Sequence, residues 1–210
     1  MLTRVCKLGG SLLDDSSLAA RLRSWLAGQT PASTLLIVGG GRPVDAIQDQ
    51  ARIHGLCDEA AHWLCIQAMG LNTQLLRSLL PEAEFMDRWS NLAHNKLPLL
   101  VLLDTEDYLR GADREMFGGP LPASWDVTSD SIAARVATAL AADELVLLKS
   151  ALPPEPRTIA RASETGYVDR FFPRASEGLN RIRCVNLRDA AFAEATLEVA
   201  GEGGRESILP

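Results

Sequence analysis

The stretch TLLIV at residues 34–38 is the feature that most restricts what this chain can fold into. After its threonine, four apolar residues follow one another without the polar alternation of a strand that faces water on one side. Such a run is typical of a strand covered on both faces, as in a parallel sheet between two layers of helices. The stretch ELVLL at residues 144–148 has the same character.

Segments with helical spacing separate these apolar runs. The pattern predicts strands at residues 3–8, 34–38, 84–86, 98–103, 144–148, 184–187 and 196–199. It predicts helices from Asp14 or Asp15 to about Ala27, from Pro43 to about Ile53, from Asp58 to Leu80, over 105–109, and from the run 128–131 to about Ala142. We therefore expect an α/β fold, a three-layer αβα sandwich with a mostly parallel open sheet, in a single domain over residues 1–210.

Composition and charge exclude several classes of protein. With 47% hydrophobic residues, the 210-residue chain can bury a substantial core. The net charge of -6 and the lack of a long basic block argue against nucleic acid as a partner. Because the sequence has no apolar run of about 18 residues and no secretory signal pattern, we expect no membrane association and a cytoplasmic location.

The four cysteines and three histidines show no spacing typical of disulfide frameworks or metal sites. No two cysteines form a CxxC pair, and no two histidines lie four residues apart. We therefore expect free thiols, and no metal held by protein side chains alone.

Residues able to bind anions follow several of the predicted strands. In an open parallel sheet, ligands bind at the carboxyl ends of the strands, so these positions are candidate sites. The first strand ends in Lys7, Leu8, Gly9, Gly10 and Ser11. The glycines would let a ligand approach the backbone, and Lys7 would supply a mobile charge. Alone, this stretch is equally compatible with a tight turn.

The second strand is followed by Gly39, Gly40, Gly41 and Arg42, and then by Pro43. Three glycines before a helix leave backbone N–H groups free to face an anion, which the helix dipole also favours. Arg42 could form paired hydrogen bonds with a phosphate or carboxylate. The alternative is a flexible connector with a solvated arginine.

Two further candidates lie around the strand ELVLL. The run of Thr128, Ser129, Asp130 and Ser131 suits a helix N-cap, but Asp130 could also orient lysines or hold a metal-bound phosphate. Lys149 and Ser150 follow the strand itself, where a snorkelling lysine is the alternative. Only three of the 21 basic residues are lysines, and Lys7 and Lys149 both end predicted strands. This placement indicates that these two positions need the side-chain shape of lysine rather than that of arginine.

Three stretches, in the order in which they occur, resemble the amino acid kinase superfamily over residues 3 to about 150. They are KLGGSLL, the strand-GGG-helix at 35–47, and TSDSIAARVATALAADELVLLKS. The resemblance implies an open α/β sandwich, often a homodimer, that transfers a phosphoryl group from ATP, accompanied by Mg²⁺, to a small carboxylate, carbamate or phosphate acceptor. It divides the chain into an acceptor-binding half, about 1–125, and a shortened nucleotide-binding half, about 126–210.

The resemblance also implies roles for individual residues. Lys7 would stabilise the transferring phosphoryl group, and Asp130 would orient the lysine charge. The residues expected at the phosphates and the nucleotide are Gly9, Gly10, Ser11, Thr128, Ser129, Lys149 and Ser150. Those expected to face the acceptor are Gly39, Gly40, Gly41 and Arg42. We add His54, near a predicted helix junction, and Trp125, which could stack on a planar acceptor; the alternatives are a surface histidine and a core tryptophan.

Within the superfamily, three stretches are similar to small kinase-like proteins of methanofuran biosynthesis: GLCDEAAHWLCIQAMGLNTQLL, WDVTSDS and LLKS. Those proteins phosphorylate an aminomethylfuran phosphate.

One departure from the family pattern bears on function. The family usually has a D-x-x-G segment and a late lysine, whereas no lysine follows Lys149 here. The alternatives to a small-molecule kinase are a degenerate kinase fold that binds a nucleotide or metabolite, and a structural subunit of a one-carbon enzyme assembly.

Overall fold

The fold was analysed in a computed structural model that describes residues 2–94 and 98–199. Seven strands form one sheet: β1 (Leu2–Leu8), β2 (Ala32–Val38), β3 (Glu84–Met86), β4 (Leu100–Leu103), β5 (Glu144–Lys149), β6 (Ile182–Asn186) and β7 (Glu194–Leu197). Their order across the sheet is β3-β4-β2-β1-β5-β6-β7. All neighbouring strands are parallel except β7, which pairs antiparallel with β6.

In the described residues, eight α-helices connect or flank these strands: α1 (Leu18–Ala27), α2 (Gly41–His54), α3 (Asp58–Leu79), α4 (Ser90–His94), α5 (Thr105–Arg110), α6 (Ser129–Ala139), α7 (Ile159–Glu164) and α8 (Phe172–Ala175). Two 3-10 helices cover Gly10–Asp14 and Ala112–Glu115. Within the two described ranges, no helix is both long and apolar enough to cross a membrane.

Apolar side chains cover both faces of the sheet, which explains why its central strands lack polar alternation. Along β2, Leu35 and Ile37 contribute to one apolar cluster, whereas Leu36 and Val38 contribute to a second on the opposite face. Helices α3, α5 and α6 supply side chains to the first cluster, and α1 supplies side chains to the second. The predicted three-layer αβα sandwich with a mostly parallel open sheet is confirmed.

The structure departs from the predicted elements in two places. The first helix begins at Leu18, not at Asp14 or Asp15, because residues 10–14 form a 3-10 helix and the Asp15 carboxylate accepts a hydrogen bond from the nearby Ser17 backbone. Helices α7 and α8 lie in residues 157–181, for which the sequence predicted no element. Both are short, at six and four residues, so neither displays a clear helical period.

A buried ion-pair network joins the central strands of the sheet near their amino ends. Glu144, which begins β5, accepts a hydrogen bond from Arg4 Nε at 2.6 Å and from Arg183 Nε at 2.9 Å. The side chains of Glu144 and Arg4 are 4% and 3% exposed. One carboxylate therefore joins β1, β5 and β6 across the centre of the sheet.

Replacing this carboxylate should cost far more stability than replacing one at the surface. Glu144→Ala would leave the buried Arg4 guanidinium without its counter-charge and remove one of the two carboxylates that bind Arg183. We therefore expect the free energy of unfolding to fall by about 3–5 kcal/mol. Urea denaturation measures this change.

Glu106→Ala is the matched control, because Glu106 pairs with Arg110 at 2.8 Å on the surface of α5. We expect a loss of about 0.3–0.5 kcal/mol there. Equal losses in the two variants would show that the Glu144 network does not hold the strands together.

Candidate active site

The carboxyl ends of β1, β2 and β5 lie side by side, because β1 is hydrogen-bonded to β2 on one side and to β5 on the other. This arrangement brings together the two predicted strand-end lysines and both glycine stretches. In the register of the sheet, Lys7 is opposite Ile37 on one strand and Leu147 on the other. Lys149 lies two residues further along β5 than Leu147, at the strand end.

Asp130, in the first turn of α6, binds both lysines. Its Oδ1 lies 3.0 Å from Lys7 Nζ and its Oδ2 lies 2.9 Å from Lys149 Nζ. All three side chains are largely buried, and Lys149 is the most exposed at 15%. Burial alone would raise the pKa of Asp130, but the charges of Lys7 and Lys149 outweigh it and hold this pKa below its usual value. The three groups together carry one net positive charge.

Lys149 makes two further contacts through residue 167. Its ammonium donates a hydrogen bond to the Tyr167 carbonyl, and it lies 4.5 Å from the centre of the Tyr167 ring. Burial, and repulsion from Lys7, lower the pKa of Lys149, and Asp130 offsets part of this effect. Lys149 is therefore fixed by three contacts, with the Asp130 carboxylate, the Tyr167 carbonyl and the Tyr167 ring.

The two glycine stretches approach each other so closely that side chains would not fit between them. A Cβ atom at Gly10 would lie 2.1 Å from the Gly41 nitrogen, and one at Gly41, where φ is +51°, would lie 2.8 Å from the Gly10 carbonyl oxygen. The Asn72 amide from α3 fixes the second stretch by donating to the carbonyls of Gly39 and Gly40, at 2.8 and 2.7 Å. Glycine is required here by close backbone approach.

A cavity of about 220 Å³ opens beside Lys7 and the glycines. Its described lining comes from the ends of β1 and β2, from α2, α3 and α6, and from the loop before α6. The lining residues are Lys7, Gly10, Gly40, Gly41, Val44, Gln48, His62, Cys65, Ile66, Met69, Ser124, Trp125, Val127, Thr128, Ser129 and Ile132. The cavity is therefore polar and glycine-rich at one end and mostly apolar elsewhere.

Several predicted site residues lie at this cavity, as expected, but others do not line it. Arg42 is exposed and pairs with Asp14 at 3.0 Å. His54 is exposed in the last residue of α2. Ser11 is exposed, and its carbonyl accepts a hydrogen bond from Arg188. Gly9, Gly39 and Ser150 are also absent from the lining. Gly9 and Gly39 donate backbone hydrogen bonds to the neighbouring strands.

The Thr128 hydroxyl has a structural partner that the sequence did not reveal. The carboxylate of Asp169 accepts hydrogen bonds from the Thr128 hydroxyl, at 2.8 Å, and from the backbone of Thr128 and Ser131. The Thr128 hydroxyl also accepts from the Asp130 backbone, as the N-cap of α6. Asp169 thus fixes the turn that presents Asp130 to the lysines.

The sequence reasoning missed Asn72, Asp169 and His62. Asn72 carried a usable signal, because it is a polar residue among mostly apolar buried positions of α3. Asp169 lies in a segment with no predicted element and carried none. In the described part of the chain, no three acidic, cysteine or histidine side chains form a metal-binding group.

The geometry defines a class of protein: an open α/β fold with a cationic, glycine-lined cavity at the carboxyl ends of its central strands. The sequence pattern of the amino acid kinase family matches residues 3–151, well over half of the chain. The chain belongs to the amino acid kinase family. This match confirms the superfamily resemblance seen in the sequence, while the likeness to methanofuran-biosynthesis proteins stays a prediction.

Solved structures of kinases share this fold. The uridylate kinase of Archaeoglobus fulgidus superposes with a TM-score of 0.59 at 19% identity, covering 87% of this chain and 90% of that one. The UMP kinase of Ureaplasma parvum gives 0.58 at 14%, with coverages of 90% and 92%. The aspartate kinase of Synechocystis gives 0.58 at 16%, with coverages of 93% and 40%. No curated protein sequence matches the chain.

The contact between the two glycine stretches can be tested by adding one methyl group. Gly10→Ala would drive its Cβ into the Gly41 backbone, so the two loops would have to separate. We expect the free energy of unfolding to fall by about 1–3 kcal/mol, as for other overpacked sites. Urea denaturation measures the loss.

Gly28→Ala is the control, because Gly28 ends α1 at φ -82° and a Cβ there would come no closer than 3.5 Å to other atoms. Its stability should change by no more than about 0.5 kcal/mol. A Gly10→Ala variant as stable as the Gly28→Ala variant would contradict the close contact between the two glycine stretches.

Proposed function

We propose that this protein is an ATP-dependent small-molecule kinase that transfers a phosphoryl group to a phosphate or carboxylate acceptor. The observation that carries the proposal is the Lys7–Asp130–Lys149 cluster beside two glycine stretches at the carboxyl edge of the sheet. Membership of the amino acid kinase family supports the same reaction class. Phosphoryl transfer needs positioning and positive charge more than it needs a protein nucleophile, and this site offers both.

The residues fit the end of a triphosphate. Lys7 offers an ammonium group, and Gly10, Gly40 and Gly41 line the cavity without side chains, so phosphate oxygens could approach their backbone from the cavity side. When bound, ATP would supply the phosphoryl group, and Mg²⁺ would neutralise part of its charge. Because Mg²⁺ usually binds through substrate phosphates and one or two carboxylates, the ion would arrive with the nucleotide rather than in a preformed cage.

The chain's own residues would then act by position and charge. Asp130 holds Lys7 at a fixed place, and the Lys7 ammonium would stabilise the charge that develops on the phosphoryl oxygens. Among the described lining residues, Lys7, His62 and Cys65 are the only titratable side chains, so the cavity has no carboxylate base. This favours an acceptor that is already ionised at neutral pH, as a carboxylate or a phosphate monoester is.

Within this class, we propose an aminomethylfuran phosphate as the acceptor. Most of the segment that resembles the methanofuran-biosynthesis proteins belongs to α3, which contributes Ile66 and Met69 to the apolar part of the cavity. Trp125, 39% exposed, lines the same cavity and is held by a 3.1 Å hydrogen bond from its indole to Asp58. A small planar ring bearing a phosphate would suit this mixture of aromatic, apolar and cationic surfaces.

A second candidate function, binding of a nucleotide or metabolite without catalysis, is favoured by the state of Lys149. Its ammonium is engaged by Asp130, the Tyr167 carbonyl and the Tyr167 ring, and no lysine follows it in the sequence. The arginines of the later segment also have local partners: Arg157 pairs with Glu155, and Arg161 with Glu164. Catalysis would therefore depend largely on Lys7.

We further propose that the protein is a homodimer formed through α3. Four leucines along one face of this helix, Leu64, Leu71, Leu75 and Leu79, are 40–69% exposed. The exposed positions between the first three of them are glutamines, so this stretch carries no charge. A surface that is apolar and uncharged is complementary to a copy of itself, which favours a symmetric pair.

The kinase proposal predicts that removing the Lys7 ammonium abolishes most of the activity. In Lys7→Ala, we expect kcat for ADP formation to fall by about 100- to 1000-fold, the loss typical of one preorganised charge at a transition state. The assay uses ATP-Mg²⁺ with a panel of small phosphates and carboxylates that includes aminomethylfuran phosphate. Thermal-shift measurements with the same ligands report binding separately from turnover.

The control is Arg23→Ala, which removes a cation that is 46% exposed and paired with Glu82 at the surface. It should leave kcat unchanged. If no nucleotide raises the melting temperature of the native protein, the kinase proposal is wrong. If ATP-Mg²⁺ binds but no acceptor is phosphorylated, the non-catalytic function is the correct one.

The dimer proposal predicts that a charge placed in the leucine face separates the subunits. Leu71→Glu would bring two carboxylates together at the symmetric contact, so we expect a monomer by analytical ultracentrifugation. Phe117→Glu is the matched control, since Phe117 is fully exposed and lies on the loop before α6 rather than on the leucine face of α3. A monomeric native protein, or a Leu71→Glu variant that remains dimeric, would contradict the proposal.

A further inference from the structure

Arg188 lies in the segment that follows β6, next to the candidate site. The backbone N–H of the preceding residue, Leu187, donates to the Lys149 carbonyl at 2.8 Å. The Arg188 guanidinium donates to the Ser11 carbonyl at 2.9 Å. Because β5 lies between β1 and β6 in the sheet, these two hydrogen bonds connect the segments at the carboxyl ends of three strands.

The charge of Arg188 is not compensated by a carboxylate of the described residues, unlike the charges of most arginines in this half of the chain. The structure describes seven arginines after Lys149. Five of them form ion pairs with carboxylates: Arg157, Arg161, Arg170, Arg181 and Arg183. Arg174 instead stacks on the Phe171 ring, 5.6 Å from its centre. Within the described ranges, the Arg188 side chain has one hydrogen-bond partner, the Ser11 carbonyl.

The carboxylate of Asp15 lies within electrostatic range of Arg188 but is bound by another residue. Its Oδ1 accepts hydrogen bonds from the backbone and the hydroxyl of Ser17, at 2.8 and 2.6 Å. These bonds are the main reason that the pKa of Asp15 is lowered, and the charge of Arg188 contributes less. A guanidinium has five N–H donors in a planar fork, so one bond to Ser11 leaves most of them for a ligand.

An arginine in this position is suited to phosphate oxygens. Its planar fork can bind two of them at once, which an ammonium group cannot do. The chain also needs such a charge, because no lysine follows Lys149 and because Lys149 itself is fixed by Asp130 and Tyr167. Arg188 supplies a cation beside the glycine stretch that ends at Ser11, separate from the ammonium of Lys7.

We infer that Arg188 binds the phosphates of the donor nucleotide that stay on it after transfer, whereas Lys7 binds the phosphoryl group that is transferred. Arg188 thereby takes the place of the late lysine that this chain lacks. The inference rests on the proposed function, because it takes the terminal phosphate to lie at Lys7. It assigns the affinity for the donor and the rate of transfer to different residues.

The test compares the affinities for ATP and ADP, each with Mg²⁺, by isothermal titration of the full chain. Arg188→Gln removes the charge but keeps an amide N–H that can donate to the Ser11 carbonyl. We expect both nucleotides to bind about 10- to 100-fold more weakly, the value of a hydrogen bond to a charged group, because both carry the phosphates that are not transferred. The melting temperature of the variant without nucleotide should stay close to that of the native protein.

Two further variants separate the guanidinium fork from charge in general. Arg188→Lys keeps the charge but loses the fork, so its affinities should lie between those of the native protein and of Arg188→Gln. Arg174→Gln is the matched control, because it makes the same change of charge at an arginine that stacks on Phe171. It should leave both affinities unchanged. In a turnover assay, Arg188→Gln should raise KM for ATP with kcat nearly unchanged, in contrast to Lys7→Ala.

Three results would overturn the inference and leave the kinase proposal intact: unchanged affinities in Arg188→Gln, a loss for ATP but not for ADP, or an equal loss in Arg174→Gln. A native protein that binds neither nucleotide would refute both. A protein that shows the expected losses but phosphorylates no acceptor would retain the role of Arg188 and contradict the kinase proposal.

Discussion

The candidate site depends on one buried carboxylate that holds two ammonium groups. Without Asp130, Lys7 and Lys149 would be two like charges buried at the same sheet edge, and burial penalises each of them. With Asp130 between them, both remain in place and the cluster keeps one net positive charge. Two neighbouring side chains stabilise this arrangement, because Asp169 fixes the turn that contains Asp130 and Asn72 fixes the glycine loop beside Lys7.

The buried charges at the amino ends of the central strands differ in arrangement from those at the carboxyl ends. At the amino ends of the central strands, Glu144 binds arginines from β1 and β6 and joins the strands. At the carboxyl ends, the charges are arranged so that one cation remains available to a ligand. At the amino ends Arg183 also pairs with Glu194, so two buried arginines meet two carboxylates, whereas at the candidate site two lysines share one carboxylate. An incompletely compensated cation is the pattern expected of a site that binds anions.

Much of this arrangement could be predicted from the sequence, because it follows from strand ends. Continuous apolar runs identified the parallel sheet, and the lysines and glycines that follow those runs identified the edge where a ligand would bind. Arg42 was expected at the acceptor because its guanidinium could bind a phosphate or carboxylate, and His54 because it lies near a predicted helix junction. Their side chains lie outside the cavity lining because Arg42 pairs with Asp14 and His54 ends an exposed helix. Asp169 could not be predicted, since its role depends on contacts between distant segments.

The most direct test of the central claim is a crystal structure of the protein with Mg²⁺ and a non-hydrolysable ATP analogue. The account predicts that the terminal phosphate contacts Lys7 Nζ and the backbone at Gly10, while Asp130 remains bound to Lys149. A nucleotide bound elsewhere, or a terminal phosphate that does not contact Lys7, would contradict it.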